Sequence, residues 1–224
     1  MTPAQRTGLS IGLATGLYGI SFGALSVAAG LSVLQTCALS ALMFTGGSQF
    51  AYVGVLAGGG TGAAATGAAT LLGVRNAVYG LQLNALLAPR GTARRLAMAH
   101  LTIDESTATA VSQEEPGEQQ RGFWAAGLAT FVLWNLFTLA GALLGDTVGD
   151  LSAWGLDGAA VAAFAGLLWP RLAGRDEVAI AILAAVTTLA LVPLVPPGIP
   201  VLGAALVAAV SALLTRPASV RGTR

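Results

Sequence analysis

Lysine is absent from this chain of 224 residues, so all 11 basic side chains are arginines, a bias read as one of codon usage. Only 9% of the residues are charged, against about 25% in a soluble domain, which excludes an ordinary soluble fold. The net charge of +1 gives no electrostatic case for a nucleic-acid partner. A single cysteine, Cys37 in an apolar run, excludes an intrachain disulfide and every multi-cysteine zinc pattern. No GxxxxGK[ST] phosphate loop occurs, so the chain is not expected to consume ATP. No cofactor, metal site or catalytic residue is expected.

What is abundant is apolar sequence: 55% of the residues are hydrophobic and 30 are glycine. The apolar runs exceed the length of buried soluble helices. They predict an all-α, polytopic membrane helix bundle in the lipid bilayer, one transmembrane domain over 1–224. About seven spans are expected, near 9–30, 33–58, 61–88, 121–145, 156–170, 177–195 and 199–215. The first could mimic a signal peptide cleaved after Ser26-Val27-Ala28, but its length and glycine density read as a packed membrane helix. Segment 92–112 reads as a helix lying at the interface or dipping partway in. Glu114-Glu115-Pro116-Gly117-Glu118-Gln119-Gln120 reads as a linker between a first half, 1–113, and a second, 121–224. With seven spans and the N-terminus outside, nine arginines (90, 94, 95, 121, 171, 175, 216, 221 and 224) fall on the cytoplasmic side with the C-terminus. Only Arg6 then falls outside, beside Asp146, Asp150 and Asp157.

Arg75 is the most informative residue. It lies near the middle of the apolar stretch Thr61 to Ala88, where an arginine costs at least about 2.5–3.5 kcal/mol. Such a charge persists by facing a bundle interior, a cavity or an anion. Tyr79 and Gln82 share its helical stripe and Asn76 borders it, while Leu71, Val74, Val78 and Leu81 occupy the opposite face. The alternative role is a clamp, with Arg75 pairing to a carboxylate or to carbonyls only to pin helices together.

Two spans read as interrupted. In span 1, Gly19 and Gly23 bracket Ile20-Ser21-Phe22, after Gly8, Gly12 and Gly16 at four-residue spacing, which also suits close helix packing. In span 2, Thr45-Gly46-Gly47-Ser48-Gln49-Phe50 would free backbone groups that lipid cannot satisfy, so the break is expected to line a cavity. Substrate-binding candidates are Arg75, Asn76, Tyr79, Gly46, Gly47, Ser48, Gln49, Ser21 and Phe22. Arg75 offers a planar fork matched to a carboxylate, the break offers carbonyls suited to an ammonium, and nearby Leu, Val and Phe suit an aliphatic body. Asp104 and Glu105, with His100 one turn earlier, form the candidate proton-coupling cluster, unless the segment is simply a solvated amphipathic helix. In the second half Asn135 reads equally as an interhelical hydrogen bond. Gly12-Leu13-Ala14-Thr15 recurs as Gly127-Leu128-Ala129-Thr130, though three plus four spans does not fit a strict inverted repeat. The rival functions are a channel, a transporter of another small zwitterion or anion, and, remotely, an intramembrane hydrolase built on Ser48 and His100.

Gly19-Ile20-Ser21-Phe22-Gly23-Ala24, Phe44-Thr45-Gly46-Gly47-Ser48-Gln49-Phe50-Ala51, Arg75-Asn76-Ala77-Val78-Tyr79-Gly80-Leu81 and Leu101-Thr102-Ile103-Asp104-Glu105 together resemble the AzlC-type branched-chain amino acid permeases, the large subunits of the LIV-E exporters. The resemblance covers the first half by motif and the second by length and hydropathy. It implies a secondary transporter, not an enzyme, that exports valine, leucine and isoleucine across the bacterial inner membrane on the proton gradient. It also implies a small AzlD-type membrane subunit as partner. Where that family often has an arginine-histidine pair, this chain has Arg75-Asn76, so a proton role for that histidine is not available here.

Overall fold

The computed structural model describes residues 1–148, 165–166, 168–169, 172–196 and 198–214. Within them the chain is helical, with no strand: α1 Pro3–Ala28, α2 Val33–Leu42, α3 Gly47–Ala57, α4 Gly62–Leu87, α5 Thr92–His100, α6 Asp104–Val111, α7 Pro116–Val148, α8 Arg175–Leu191 and α9 Ile199–Leu214. The first two helices start on capping boxes, Thr2 with Gln5 and Ser32 with Gln35, which satisfy end N–H groups that lipid could not. α1 and α7 are long and apolar enough to cross a membrane, by length and composition. Most of the expected span 156–170 lies outside the described residues, as do Asp150, Asp157, Arg171, Arg216, Arg221 and Arg224. The last five residues of the expected linker, Pro116 to Gln120, form the first turns of α7.

α1 and α7 form the scaffold. Gly8 lies against Ala125 and Ala126, Gly12 against Ala129 and Thr130, and Gly16 against Leu133. The partners advance in step along both chains, so the two helices run parallel, and the two copies of Gly-Leu-Ala-Thr that they carry are not inverted. A Cβ added at Gly12 would sit 2.6 Å from the Ala129 Cβ and 2.9 Å from the Thr130 nitrogen. Backbones this close gain their attraction from dispersion between packed small residues, the main term available where lipid is as apolar as the protein. The stripe continues through Gly19 and Gly23, so α1 is one unbroken helix. The expected interruption around Ser21 and Phe22 is therefore absent, because those glycines serve contact with α7.

The break expected in span 2 is present, but it reverses the chain. The non-helical backbone is Met43 to Gly46, and Gly47, Ser48 and Gln49 already belong to α3. Gln49 reaches back to the carbonyls of Leu39 and Ser40, each at 3.2 Å, and Tyr52 stands beside Gln35 and Leu39. α3 thus turns back toward the end from which α2 came, packing on α4 while α2 packs on α7. Arms of 10 and 11 residues measure about 15 and 17 Å at about 1.5 Å per residue, roughly half of the ~30 Å hydrocarbon core. The hairpin tip reaches the middle of α7, where Phe44 packs on Phe131 with ring centroids 5.1 Å apart.

Segment 92–112 forms a second hairpin, approaching from the opposite end. α5 rises to place His100 against Phe131, ring centroids 5.4 Å apart. The helix then breaks at Leu101 to Ile103, and α6 returns with Ser106 beside Gly127 and Thr109 beside Gly122. It is neither an interfacial helix nor a single dipping one. α4 runs between the hairpins, antiparallel to α3, with Gly73 beside Ser48 near its middle and Val55 clustered with Ala65 and Ala68 near its start. α8 pairs with α9, and Gly198 at their junction lies against Ala64 and Val55.

This architecture revises the orientation. Because 33–58 turns back instead of crossing, the N-terminus shares its end of the molecule with the α4–α5 and α6–α7 connections. The Ala4 N–H donates to Glu118 at 3.4 Å, Arg94 donates to Gln120 at 3.0 Å, and Gln120 donates to the Leu87 carbonyl at 3.4 Å. Arg6 therefore lies with Arg90, Arg94, Arg95 and Arg121, not opposite them. On the positive-inside bias that whole end, N-terminus included, is expected to be cytoplasmic. A reporter fused before Met1 and one inserted after Gln113 are expected to be cytoplasmic together; reporters on opposite sides contradict the re-entrant hairpin, and both periplasmic contradicts the orientation. Gly12→Val is expected to lower the melting temperature in detergent sharply, since overpacking of this kind typically costs about 1–3 kcal/mol. Gly80→Ala, whose added Cβ meets nothing within 4 Å, is expected to be neutral or slightly stabilising.

Candidate functional site

A helix broken inside a bundle strands carbonyls and N–H groups, and each hairpin tip meets that demand with one polar residue just after its break. At the first tip, the Gln49 amide donates to Leu39 and Ser40, and its oxygen accepts the Gly46 N–H at 3.2 Å. Gly46 itself has φ 62°, a left-handed conformation that favours glycine. At the second tip, the Ser106 hydroxyl accepts the Ile103 N–H at 3.1 Å and donates to the Leu101 carbonyl at 2.6 Å. Gln49 is fully buried, with both ends of its amide engaged in holding the turn.

Arg75, at the midpoint of α4, joins the two tips. Its guanidinium donates to the Thr45 carbonyl on the first tip at 3.3 Å. It also pairs with Asp104, the first residue of α6 on the second tip, Nη2 to Oδ2 at 3.0 Å. Gly47 makes this approach feasible, because a Cβ there would stand 3.0 Å from Arg75 Nη2. The side chains of Arg75 and Asp104 are 26% and 18% exposed, so the pair is largely shielded, and removing either partner would leave the other charge poorly compensated. The other faces of α4 follow the sequence pattern: Leu71, Val74, Val78 and Leu81 are exposed on the outside of the bundle.

In front of this pair lies a cavity of about 150 Å³. A void of about that size accepts a benzene-sized guest, the scale of a branched aliphatic side chain. Its apolar wall is Phe44, Phe50, Ile103 and Trp134; its polar wall is Thr15, Thr45, Gly46, Gly47, Asp104, Glu105 and Thr130, with Tyr18 and Gly166 completing the lining. Glu105 and Thr15 of α1 line the same wall. Thr130 Oγ1 and Trp134 Nε1 are buried without a hydrogen-bond partner, as are Arg75 Nε and Thr45 Oγ1 beside them. Buried polar atoms in native proteins are nearly always satisfied, and Thr45, Thr130 and Trp134 put three such unpartnered atoms on the wall of this one cavity.

The structure brings some of the sequence candidates together and separates others. Gly46, Gly47, Asp104 and Glu105 line the cavity, while Arg75 stands behind that wall, against Gly47 and bonded to Thr45 and Asp104. Ser48, also buried and without a partner, faces Gly73 across a neighbouring groove that shares Thr45 with the cavity. Asn76 and Tyr79 are half-buried on α4, outside the cavity wall. Ser21 is half-buried on α1, and Phe22 is buried in an aromatic cluster, stacked 5.9 Å from Trp134 and edge-on 5.6 Å from Phe50. His100 lies against Phe44 and Phe131. The break at 101–103 removes the one-turn spacing to Asp104 that a continuous helix would give. Asn135 bonds the Phe131 carbonyl of its own helix at 2.8 Å, while Thr138 makes the interhelical contact, to Ser40 at 3.3 Å.

Thr15, Tyr18, Thr130 and Trp134 were not sequence candidates for the site. A signal for two of them was present. Thr15 and Thr130 end the two copies of Gly-Leu-Ala-Thr, and both threonines face the cavity. The glycines of the repeat admit a neighbouring backbone, which places the threonines three residues on at the centre.

A protein-family model described as "AzlC protein" matches residues 10–148, which include both hairpins, Arg75 and all described cavity residues except Gly166. No curated protein and no solved structure matches the chain.

Gln49→Leu keeps the approximate volume but strands the Ser40 carbonyl and the Gly46 N–H, while the Leu39 carbonyl keeps the Met43 N–H. Each unsatisfied buried group costs about 1–3 kcal/mol, so a large fall in detergent-stable yield is expected. Full stability in this variant would show that the tip does not depend on Gln49.

Proposed function

The chain belongs to the AzlC family, a membrane family associated with branched-chain amino acid transport, and on that premise we propose that it is a multi-pass secondary transporter exporting valine, leucine and isoleucine across the bacterial inner membrane. The single observation that carries this reading is the central cavity where two opposed hairpin tips meet an ion pair. Re-entrant backbone at membrane depth is tolerated where it lines a cavity, and transporters commonly place substrate there. The cavity joins an apolar wall suited to an aliphatic side chain with charged and hydroxyl groups suited to a small polar head. In this reading Arg75 receives the substrate carboxylate and Phe44, Phe50 and Trp134 hold the side chain. Gly46, Gly47, Ser48 and Gln49 supply and support the tip, and Asn76, Tyr79, Ser21 and Phe22 shape the surroundings.

Proton coupling is assigned to Glu105, which lines the cavity beside Asp104; His100 near the second tip would serve as relay. The outward direction, the coupling ion and the small AzlD-type partner rest on the family resemblance. The exposed apolar faces of α4 are compatible with either lipid or such a subunit.

The test is radiolabelled valine efflux from cells expressing the chain, with and without the small subunit, followed by flux in proteoliposomes under an imposed pH gradient. Valine movement that the gradient accelerates is the expected result; no flux of any branched-chain amino acid in either setting would refute the proposal. Arg75→Lys keeps the charge but loses the planar fork. Losing a charged pair costs about 2–5 kcal/mol, so valine affinity is expected to fall by roughly 30-fold or more. If Arg75→Ala is stably folded and binds valine as the parent does, Arg75 is not the carboxylate ligand.

A further inference from the structure

Arg75 is already paired with Asp104 at 3.0 Å, so a substrate carboxylate can engage it only by displacing that partner or sharing it. We propose that the Arg75–Asp104 ion pair stands in for the substrate, and that an α-amino acid zwitterion inserts into it, its carboxylate on Arg75 and its ammonium on Asp104. This rests on the transporter reading above and adds the ammonium ligand and the basis of selectivity.

The argument is one of charge. Both side chains are mostly shielded from solvent, where an opposite charge deprived of its partner is heavily penalised. A ligand bearing only a carboxylate satisfies Arg75 and strands Asp104, and a ligand bearing only an amine does the reverse. A zwitterion replaces one ion pair with two and leaves the net charge of the site unchanged. The positions suit this exchange. Asp104 belongs to the cavity wall, and Gly47 places no side chain between Arg75 and the cavity, since a Cβ there would stand 3.0 Å from Nη2. Glu105, the second carboxylate, keeps the ammonium end of the site acidic. Thr130 Oγ1 and Trp134 Nε1, both buried without a partner, are the wall groups left to bond the bound head. The site selects for adjacent opposite charges first and for side-chain shape second. Insertion also loosens the link that Arg75 makes between the two hairpin tips, coupling occupancy to their separation.

The experiment is competition binding on the purified full chain. Radiolabelled valine is displaced by valine itself, by isovalerate (the carboxylate without the amine) and by isobutylamine (the amine without the carboxylate). With the parent protein each single-charge analogue is expected to bind about 30-fold or more weakly than valine. In Asp104→Asn, valine affinity falls about 10-fold or more and isovalerate gains, because Arg75 no longer has an internal carboxylate; in Arg75→Gln, isobutylamine gains instead. A merely structural pair would lower all affinities together and leave their ratios unchanged, and that outcome overturns the proposal. Isovalerate or isobutylamine binding to the parent within about threefold of valine overturns it too, without any variant. If the parent binds none of the common α-amino acids, the transporter reading falls with it. If it binds an unbranched one with the reciprocal ratios intact, only the branched-chain assignment fails.

Discussion

Arg75 holds a carbonyl on one hairpin tip and a carboxylate on the other, and the centre of the protein is organised around that double engagement. A permanent cation at the midpoint of α4 requires an anion at the same depth, and Asp104 arrives there only because α5 breaks and α6 begins at that residue. The Thr45 carbonyl arrives because α2 breaks as well. Each interruption would be costly in lipid by itself. Together they satisfy one another through a single guanidinium, assisted by Gln49 and Ser106, which return the remaining stranded backbone groups to hydrogen bonds.

The scaffold that permits this meeting is the parallel α1–α7 pair. Five glycines on α1 let the two backbones approach closely enough to exclude side chains along most of the interface. A rigid pair so formed presents Thr15 and Tyr18 from one helix and Thr130 and Trp134 from the other as a fixed wall. The hairpins are short, half the length of a crossing, and lean on this wall through aromatic contacts: Phe44 on Phe131, and Phe50 on Phe22 and Trp134. The glycine-packed wall, the two hairpin tips and the charge pair between them enclose the central cavity.

The helical class, the membrane setting, the inward placement of Arg75 and the break near Gly46 were legible in the sequence because each depends on local content. Run length, glycine spacing and the cost of a buried charge require no knowledge of neighbours. The break could be recognised but its direction could not. A hydropathy window scores 33–58 identically whether the chain crosses or turns back, and the choice moves Arg6 from one side of the membrane to the other. The glycines of α1 were ambiguous for a similar reason. Glycine both loosens a helix and allows another helix to touch it, and only the presence of α7 along the stripe selects the second.

The sequence by itself determined that this is an all-α membrane protein of the AzlC type with a charge at its centre, since composition and motif are properties of the chain alone. The tertiary structure decided which anion meets that charge and which residues enclose the cavity. Asp104 is 29 positions from Arg75 in the chain, and Thr15 and Thr130 lie on different helices. Their convergence is fixed by how helices pack in three dimensions: by glycine contacts that set α1 against α7, and by breaks whose freed backbone groups find partners only where the opposing tips meet.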